Sequence, residues 1–173
     1  MNEQLQRLAA MVRARNEADR QIAALIGRPA TPGNIGEFVA AKVFGIRLAV
    51  SGSQAGYDGV FETGELAGKR VNVKAYGRHE GLLDVSPHPC DYYLVLAGPQ
   101  GPARHRPWNI EQVFLFDTRT LLLALKERGV KIGIATSVRK DQWEAARIYP
   151  THKRAPLNLT SEQQELLKLF AAS

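Results

Sequence analysis

Apolar positions at Leu5, Leu8, Val12, Ile22, Leu25 and Ile26 recur near helical spacing, with Arg and Glu between them. That period predicts a helix over 2–26. Its middle, Arg13 to Arg20, is almost wholly polar, which suits a solvated face or a helix bridging to a partner. Gly27, Pro29 and Pro32 end the element. A second helix is predicted over 34–44, where Ile35, Phe38, Val39, Ala40, Ala41, Val43 and Phe44 run nearly all the way round. Such a helix is buried on more than one side. Gly45 is its expected stop.

The period then shortens to two. Strands are predicted at 48–51, 57–62 and 70–76. The turn-like TGELAG joins the last two, so they should form an antiparallel hairpin. Residues 77–90 read as irregular, with Pro87 and Pro89. The apolar run DYYLVLA, at 91–97, has the form of a central strand. A loop over 98–108, a strand at 113–116, a helix at 121–128, a strand at 131–136 (KIGIAT) and a helical turn or two at 140–146 complete this part. The THKRAP stretch after Pro150 reads as a linker. Thr160 or Ser161 should cap a last helix to about Phe170, with Gln163 or Gln164 placed for a capping box. The expected fold class is α/β (α+β), with a central mixed sheet flanked by helices and helical extensions at both ends. One domain is expected over 1–150, with its core in 34–136, followed by the linker and helix of 151–173.

Composition changes this picture only slightly. The 173 residues are 45% hydrophobic and 23% charged, ordinary globular values that argue against global disorder. One cysteine, Cys90, excludes a disulfide within the chain and favours a reducing, cytoplasmic setting. The opening MNEQLQRL has no apolar stretch of the secretory kind. No apolar run approaches the roughly 20 residues of a membrane span. The formal net charge of +6 favours polyanionic partners, because Lys and Arg beside phosphates release condensed counterions.

Four residues carry candidate chemistry. In VNVKAY, alternation puts Asn72, Lys74 and Tyr76 on one strand face and Val71, Val73 and Ala75 on the other. A lysine beside an oxygen ligand can orient a water or neutralise a phosphate. The plainer alternative is a half-exposed strand with its polar side in solvent. Asp58 sits in GYDGV, and Asp is disfavoured in strands. It is either a turn residue or a carboxylate for a hard cation such as Mg²⁺. Glu37 would stand at the third helical position if Asn34 caps the helix, a placement that needs no function. It also shares a face with Ala40, Ala41 and Phe44, and a carboxylate turned toward a core usually has a partner.

The order of these segments, GNIGEFVAAKVFG, SGSQAGYDGV and RVNVKAY, resembles the PD-(D/E)xK nuclease superfamily, and in particular small bacterial members with a G-E helix, a G-x-D strand and a (Q/E)-x-K strand. The resemblance spans roughly 34–97. It implies a restriction-endonuclease-like core and a Mg²⁺- or Mn²⁺-dependent endonuclease acting on DNA, of the kind found in restriction or phage-defence systems. Carried over by position, Asp58 is the principal metal ligand and Glu37 a supporting acid near the metal. Lys74 positions or activates water and counters phosphate charge. Asn72 stands where a second acidic residue is usual, and its neutral oxygen should hold a metal less strongly.

Other signals are weaker. His88, Cys90 and His79 fall short of a zinc set. His79, Arg104, Arg106 and Lys140 are the candidate nucleic-acid-binding residues, each with the alternative of a solvated loop or face. Arg139–Lys140 and Lys153–Arg154 are further basic pairs. The helix of 2–26 is a candidate dimerisation element, as in enzymes that cut two strands, and a protein partner in a defence system fits the resemblance. Two alternatives remain beside the nuclease: a catalytically weak or inactive DNA- or protein-binding module of the same fold, and a structural or interaction protein.

Overall fold

The computed structural model describes residues 2–50, 56–88, 90–100 and 108–172. Its helices are α1 (Glu3–Ile26), α2 (Pro32–Phe44), α3 (Thr118–Glu127), α4 (Lys140–Ala146) and α5 (Ser161–Lys168). Its strands are β1 (Ile46–Leu48), β2 (Gly59–Phe61), β3 (Arg70–Tyr76), β4 (Leu82–Leu83), β5 (Tyr92–Ala97), β6 (Gln112–Asp117), β7 (Thr136–Ser137) and β8 (Arg147–Tyr149). Six strands form one mixed sheet in the order β1-β2-β3-β5-β6-β8. Only β3 and β5 run parallel, and β2 and β3 are the expected antiparallel hairpin. The pair β4 and β7 makes a small separate sheet.

Two apolar layers sandwich the sheet. On one face, Val39, Ala40, Val43 and Phe44 of α2 meet Val71, Val73, Leu94 and Leu96, and Leu167 of α5 joins them. On the other, Leu121 and Leu125 of α3 and Trp143 of α4 meet Tyr93, Val95, Phe114 and Phe116. Trp143 lies edge-on to Phe114 and Phe116, with centroids 4.8 and 4.9 Å away. Such edge-to-face packing adds to the stabilisation from the area that the rings bury. The parallel β3–β5 step explains the continuous apolar run of β5, whose residues from Tyr93 to Ala97 are all buried.

The helix boundaries follow local chemistry. Thr31, not Asn34, caps α2: its hydroxyl accepts from Asn34 N–H at 3.3 Å, and Pro32 opens the first turn. Proline suits that position because the first helical N–H groups have no intrahelical partner. The helix therefore begins before Asn34, and Glu37 is an interior residue rather than a cap. Asp117 accepts from Thr120 N–H at 2.8 Å and so starts α3 at Thr118, earlier than the apolar pattern alone predicts. At α5 the box is Thr160 with Gln163. Gln163 also donates to the Val43 carbonyl at 3.1 Å, and Phe170 accepts from Ile110 N–H. The last helix is thereby fastened to its own chain.

Three strand expectations need correction. The first strand lies at 46–48 instead of 48–51. KIGIAT is not a strand: only Thr136 and Ser137 pair, with β4. Thr136 instead closes a local turn through Gly133, and Ala135 adopts a φ of 57°. Ile134 is 92% exposed, so its alternation with Ile132 faces no core. Both β4 and β8 lie where no strand is predicted, being two and three residues long. No helix among the described residues is long and apolar enough to cross a membrane.

Along its 24 residues, α1 buries no residue. Leu5, Leu8, Met11, Val12 and Leu25 are all exposed. Asn2 caps its start and Gly27, at φ 69°, its end.

Candidate functional site

The site begins where the sheet forks. Strands β2 and β3 share only the pairs Gly59↔Val71 and Val60↔Arg70. Asp58 makes the last backbone link, donating its N–H to the Val71 carbonyl at 2.8 Å. Beyond it, the side of β3 that faced β2 has no partner strand among the described residues. The next N–H on that side, from Val73, donates to Asp58 Oδ2 at 2.6 Å. A carboxylate thus replaces a ladder carbonyl at the fork. This satisfies a strand N–H that would otherwise lack a partner.

Groups from both faces bear on this carboxylate. Glu37 comes from α2 and is partly buried. Its carboxylate accepts from the Arg28 guanidinium at 2.5 Å. Close approach of α2 to β3 requires a glycine before it: a Cβ on Gly36 would lie 2.5 Å from the Ala75 Cβ. Lys74, half-buried, alternates to the other face of β3, together with Asn72 and Tyr76. Burial pushes the Asp58 carboxyl above its ordinary range, and the nearby Glu37 charge pushes it further. The Val73 N–H, Lys74 and Arg28 pull it back. Arg28, Glu37, Asp58 and Lys74 therefore form one electrostatic cluster of two cations and two anions. The only direct side-chain pair seen within it is Arg28 with Glu37.

Asn72 is 7% exposed. Its Nδ2 donates to the Gly56 carbonyl at 3.3 Å, while its Oδ1 is buried with no hydrogen-bond partner among the described residues. Buried polar atoms are nearly always partnered, so this oxygen calls for a ligand or a water.

Oxygen donors suit a hard cation, which takes one or two carboxylates and completes its shell with water or phosphate. Asp58 keeps a second carboxylate oxygen beside the one held by Val73, and Asn72 offers Oδ1. Glu37 is committed to Arg28 and would have to share. Among the described residues, no three His, Cys, Asp or Glu side chains gather as a metal cluster. Asn72 accounts for part of that: an amide stands at a position where the resemblance implies a carboxylate.

The remaining candidates disperse. His79 packs its ring against Phe114 and Trp143, with centroids 5.1 and 4.4 Å away, and burial lowers its pKa. It is part of the aromatic layer. Lys140 is exposed at the start of α4 and lines a basic groove with Arg139, Lys153 and Arg154. Arg104 and Arg106 lie outside the described residues. Cys90 is buried against Thr118 Oγ1, at 3.5 Å, in the α3 layer. Arg28 is the member of the cluster that sequence reasoning missed. It stands in a Gly-Arg-Pro connection nine residues before Glu37, and no local pattern marks it.

No protein-family model matches the sequence, and a search of curated proteins gives no match.

Proposed function

We propose that this protein is a metal-dependent, nuclease-like hydrolase of DNA phosphodiesters, built on a restriction-endonuclease-like core. The observation that carries the reading is the fork between β2 and β3. There the charges of Glu37, from one face of β3, and of Lys74, from the other, act with Arg28 on a half-buried Asp58, and Asn72, next to the Val73 N–H that Asp58 accepts, carries a buried oxygen with no partner among the described residues. The chain order of Glu37, Asp58, Asn72 and Lys74 on a helix, a strand opening and a strand is the order the PD-(D/E)xK resemblance implies.

Asp58 and Asn72, assisted by Glu37, would hold Mg²⁺ or Mn²⁺, which supplies a Lewis acid for the phosphoryl oxygen and for water. Lys74 places an ammonium where charge gathers on the phosphate and orients the attacking water. Val73 N–H fixes one Asp58 oxygen. Arg28 holds Glu37 and offsets its charge.

One observation favours a second reading, a binding module of the same fold without strong catalysis. It is the neutral Asn72 in the place of an acid. Plasmid nicking and single-strand cleavage with Mg²⁺, with Mn²⁺ and with chelator separate the two. Metal-dependent cleavage by the wild type, abolished in folded Asp58→Ala and Lys74→Ala, is the expected result. Absence of cleavage by the wild type under all conditions would overturn catalysis and leave the binding module.

A further inference from the structure

A basic groove lies at the β8 edge of the sheet, away from the fork. It is an open cavity of about 1030 Å³ between α4, the start of β8 and the segment at 152–154. Five basic side chains, Arg139, Lys140, Arg147, Lys153 and Arg154, line it against Asp141 and Glu144. The two carboxylates are already engaged: Arg139 meets Asp141 at 3.2 Å and Arg147 meets Glu144 at 3.0 Å. Among the described residues, Lys140, Lys153 and Arg154 make no ion pair. The groove therefore keeps a positive excess that nothing within it answers.

Its geometry is fixed rather than incidental. His152 Nε2 donates to the Glu144 carbonyl at 3.1 Å, and its Nδ1 accepts from Arg154 N–H at 3.2 Å. One ring thus ties the segment at 152–154 to α4 and presents Lys153 and Arg154 beside Lys140. Arg147 Nε is buried with no hydrogen-bond partner among the described residues, an unmet donor at the groove wall.

The groove is also aligned with the fork. Lys74 is opposite Val95, Val95 is opposite Phe114, and Phe114 is opposite Arg147. Directly opposed residues share a sheet face. Lys74 and Arg147 therefore stand on one face and at one level, three strand spacings apart, or about 14 Å. That is well under one turn of B-form DNA, about 34 Å. Val95 and Phe114, which lie between them, are buried under Leu121 and Leu125 of α3 and Trp143 of α4, so a duplex reaching both would pass over those helices.

We propose that this groove is a phosphate-backbone site that holds nucleic acid across the sheet from Lys74. Only the identity of the ligand rests on the nuclease reading; the charge, the anchoring and the alignment do not. An acidic protein segment would be served by the same charge, but an open groove whose basic side chains exceed its carboxylates by three suits the regularly spaced charges of a phosphate backbone better.

The test is fluorescence anisotropy with a short labelled DNA duplex, in chelator so that nothing is cut, over a series of salt concentrations. The triple variant Lys140→Ala/Lys153→Ala/Arg154→Ala changes only exposed side chains. A control, Arg7→Ala/Arg13→Ala/Arg15→Ala on α1, removes the same charge elsewhere. The groove variant should bind at least about tenfold more weakly. Its log–log salt slope should fall by about two to three, near one for each phosphate no longer neutralised. The α1 control should stay near wild type. Equal weakening in both would mean that net charge alone acts, and would overturn the site. So would an unchanged slope in the groove variant, or wild type that binds no duplex. A groove variant that binds more weakly, while wild type shows no metal-dependent cleavage, would sustain the site and remove the nuclease reading. Cleavage that persists with duplex affinity unchanged in the groove variant would do the reverse.

Discussion

Replacing Gly36 by alanine tests whether the helix carrying Glu37 is held against the strand carrying Lys74 by one close approach. The added Cβ would stand 2.5 Å from the Ala75 Cβ and 3.8 Å from Leu96 Cδ1. Carbon atoms rest at about 3.5–4.0 Å, so helix and strand must separate locally by about 1 Å or more. Overpacking of this kind costs about 1–3 kcal/mol. Alanine recovers up to about 1 kcal/mol of helix propensity, leaving a net loss of up to about 2 kcal/mol. For a chain of this size, that is a fall in Tm of about 2–4 °C for each kcal/mol. Denaturant unfolding of wild type, Gly36→Ala, Ala75→Gly and the double variant gives the interaction energy. The double variant removes the colliding carbon, so it should be more stable than the sum of its parts by about 0.5–3 kcal/mol. Additivity within about 0.5 kcal/mol would refute the close approach, and with it the reason given for a glycine beside Glu37.

Two further expectations concern the charges. Asp58 is held above its ordinary carboxyl range in the folded chain, first by burial. Below the unfolded value the group is protonated in both states and costs nothing. As pH rises through the raised folded value, the folded state holds the proton longer and loses stability relative to the unfolded chain. Asp58→Asn keeps an acceptor for Val73 N–H and should therefore raise metal-free stability at pH 7 by about 0.5–2 kcal/mol. The gain should fade as pH falls toward the ordinary carboxyl value of 3.8. Thermal melts in chelator across pH check it, and a loss at pH 7 would sink the assignment. Asn72→Asp should do the opposite in the absence of metal, because it buries a further anion. It should also enlarge the Tm rise produced by Mn²⁺, about 1.4 kcal/mol for every tenfold gain in affinity. A smaller Mn²⁺ shift than wild type would show that position 72 does not face the cation.

What was legible in the chain is what local period and caps determine. The all-round apolar set of α2, the alternation in RVNVKAY and the unbroken run in β5 each announced an element that is present. Their roles in the sheet follow from burial, which composition encodes directly. KIGIAT shows the limit. Its alternating isoleucines have the strand period, but a strand exists only with a partner, and Gly133 and Ala135 turn the chain away from one. The N-cap of α2 was misplaced for a related reason: Asn34 and Thr31 are both good caps, and Pro32 decides between them only when its place in the first turn is known. At the site, the residue types of Glu37, Asp58, Asn72 and Lys74 could be picked out, but their relations could not. That Asp58 closes a ladder depends on β2 beginning only at Gly59, and that Glu37 is answered by Arg28 depends on how the connection after α1 returns.

The asparagine at 72 makes physical sense once those relations are known. Arg28, Glu37, Asp58 and Lys74 already balance two positive charges against two negative ones. Asp58 is nevertheless under strain of an electrostatic kind, since burial and Glu37 both resist its ionisation. A carboxylate at position 72, on a side chain 7% exposed, would add a third anion where water reaches least. An unpaired buried charge is far more costly than an unpaired amide oxygen. Asn72 therefore lets the fork fold without a cation, with Nδ2 held by the Gly56 carbonyl and one oxygen left unmet. The same choice withholds attraction from a divalent ion. On the proposed reading, such a composition trades metal affinity for stability of the metal-free protein, and the response to added Mn²⁺ should set in only at higher concentration than for Asn72→Asp.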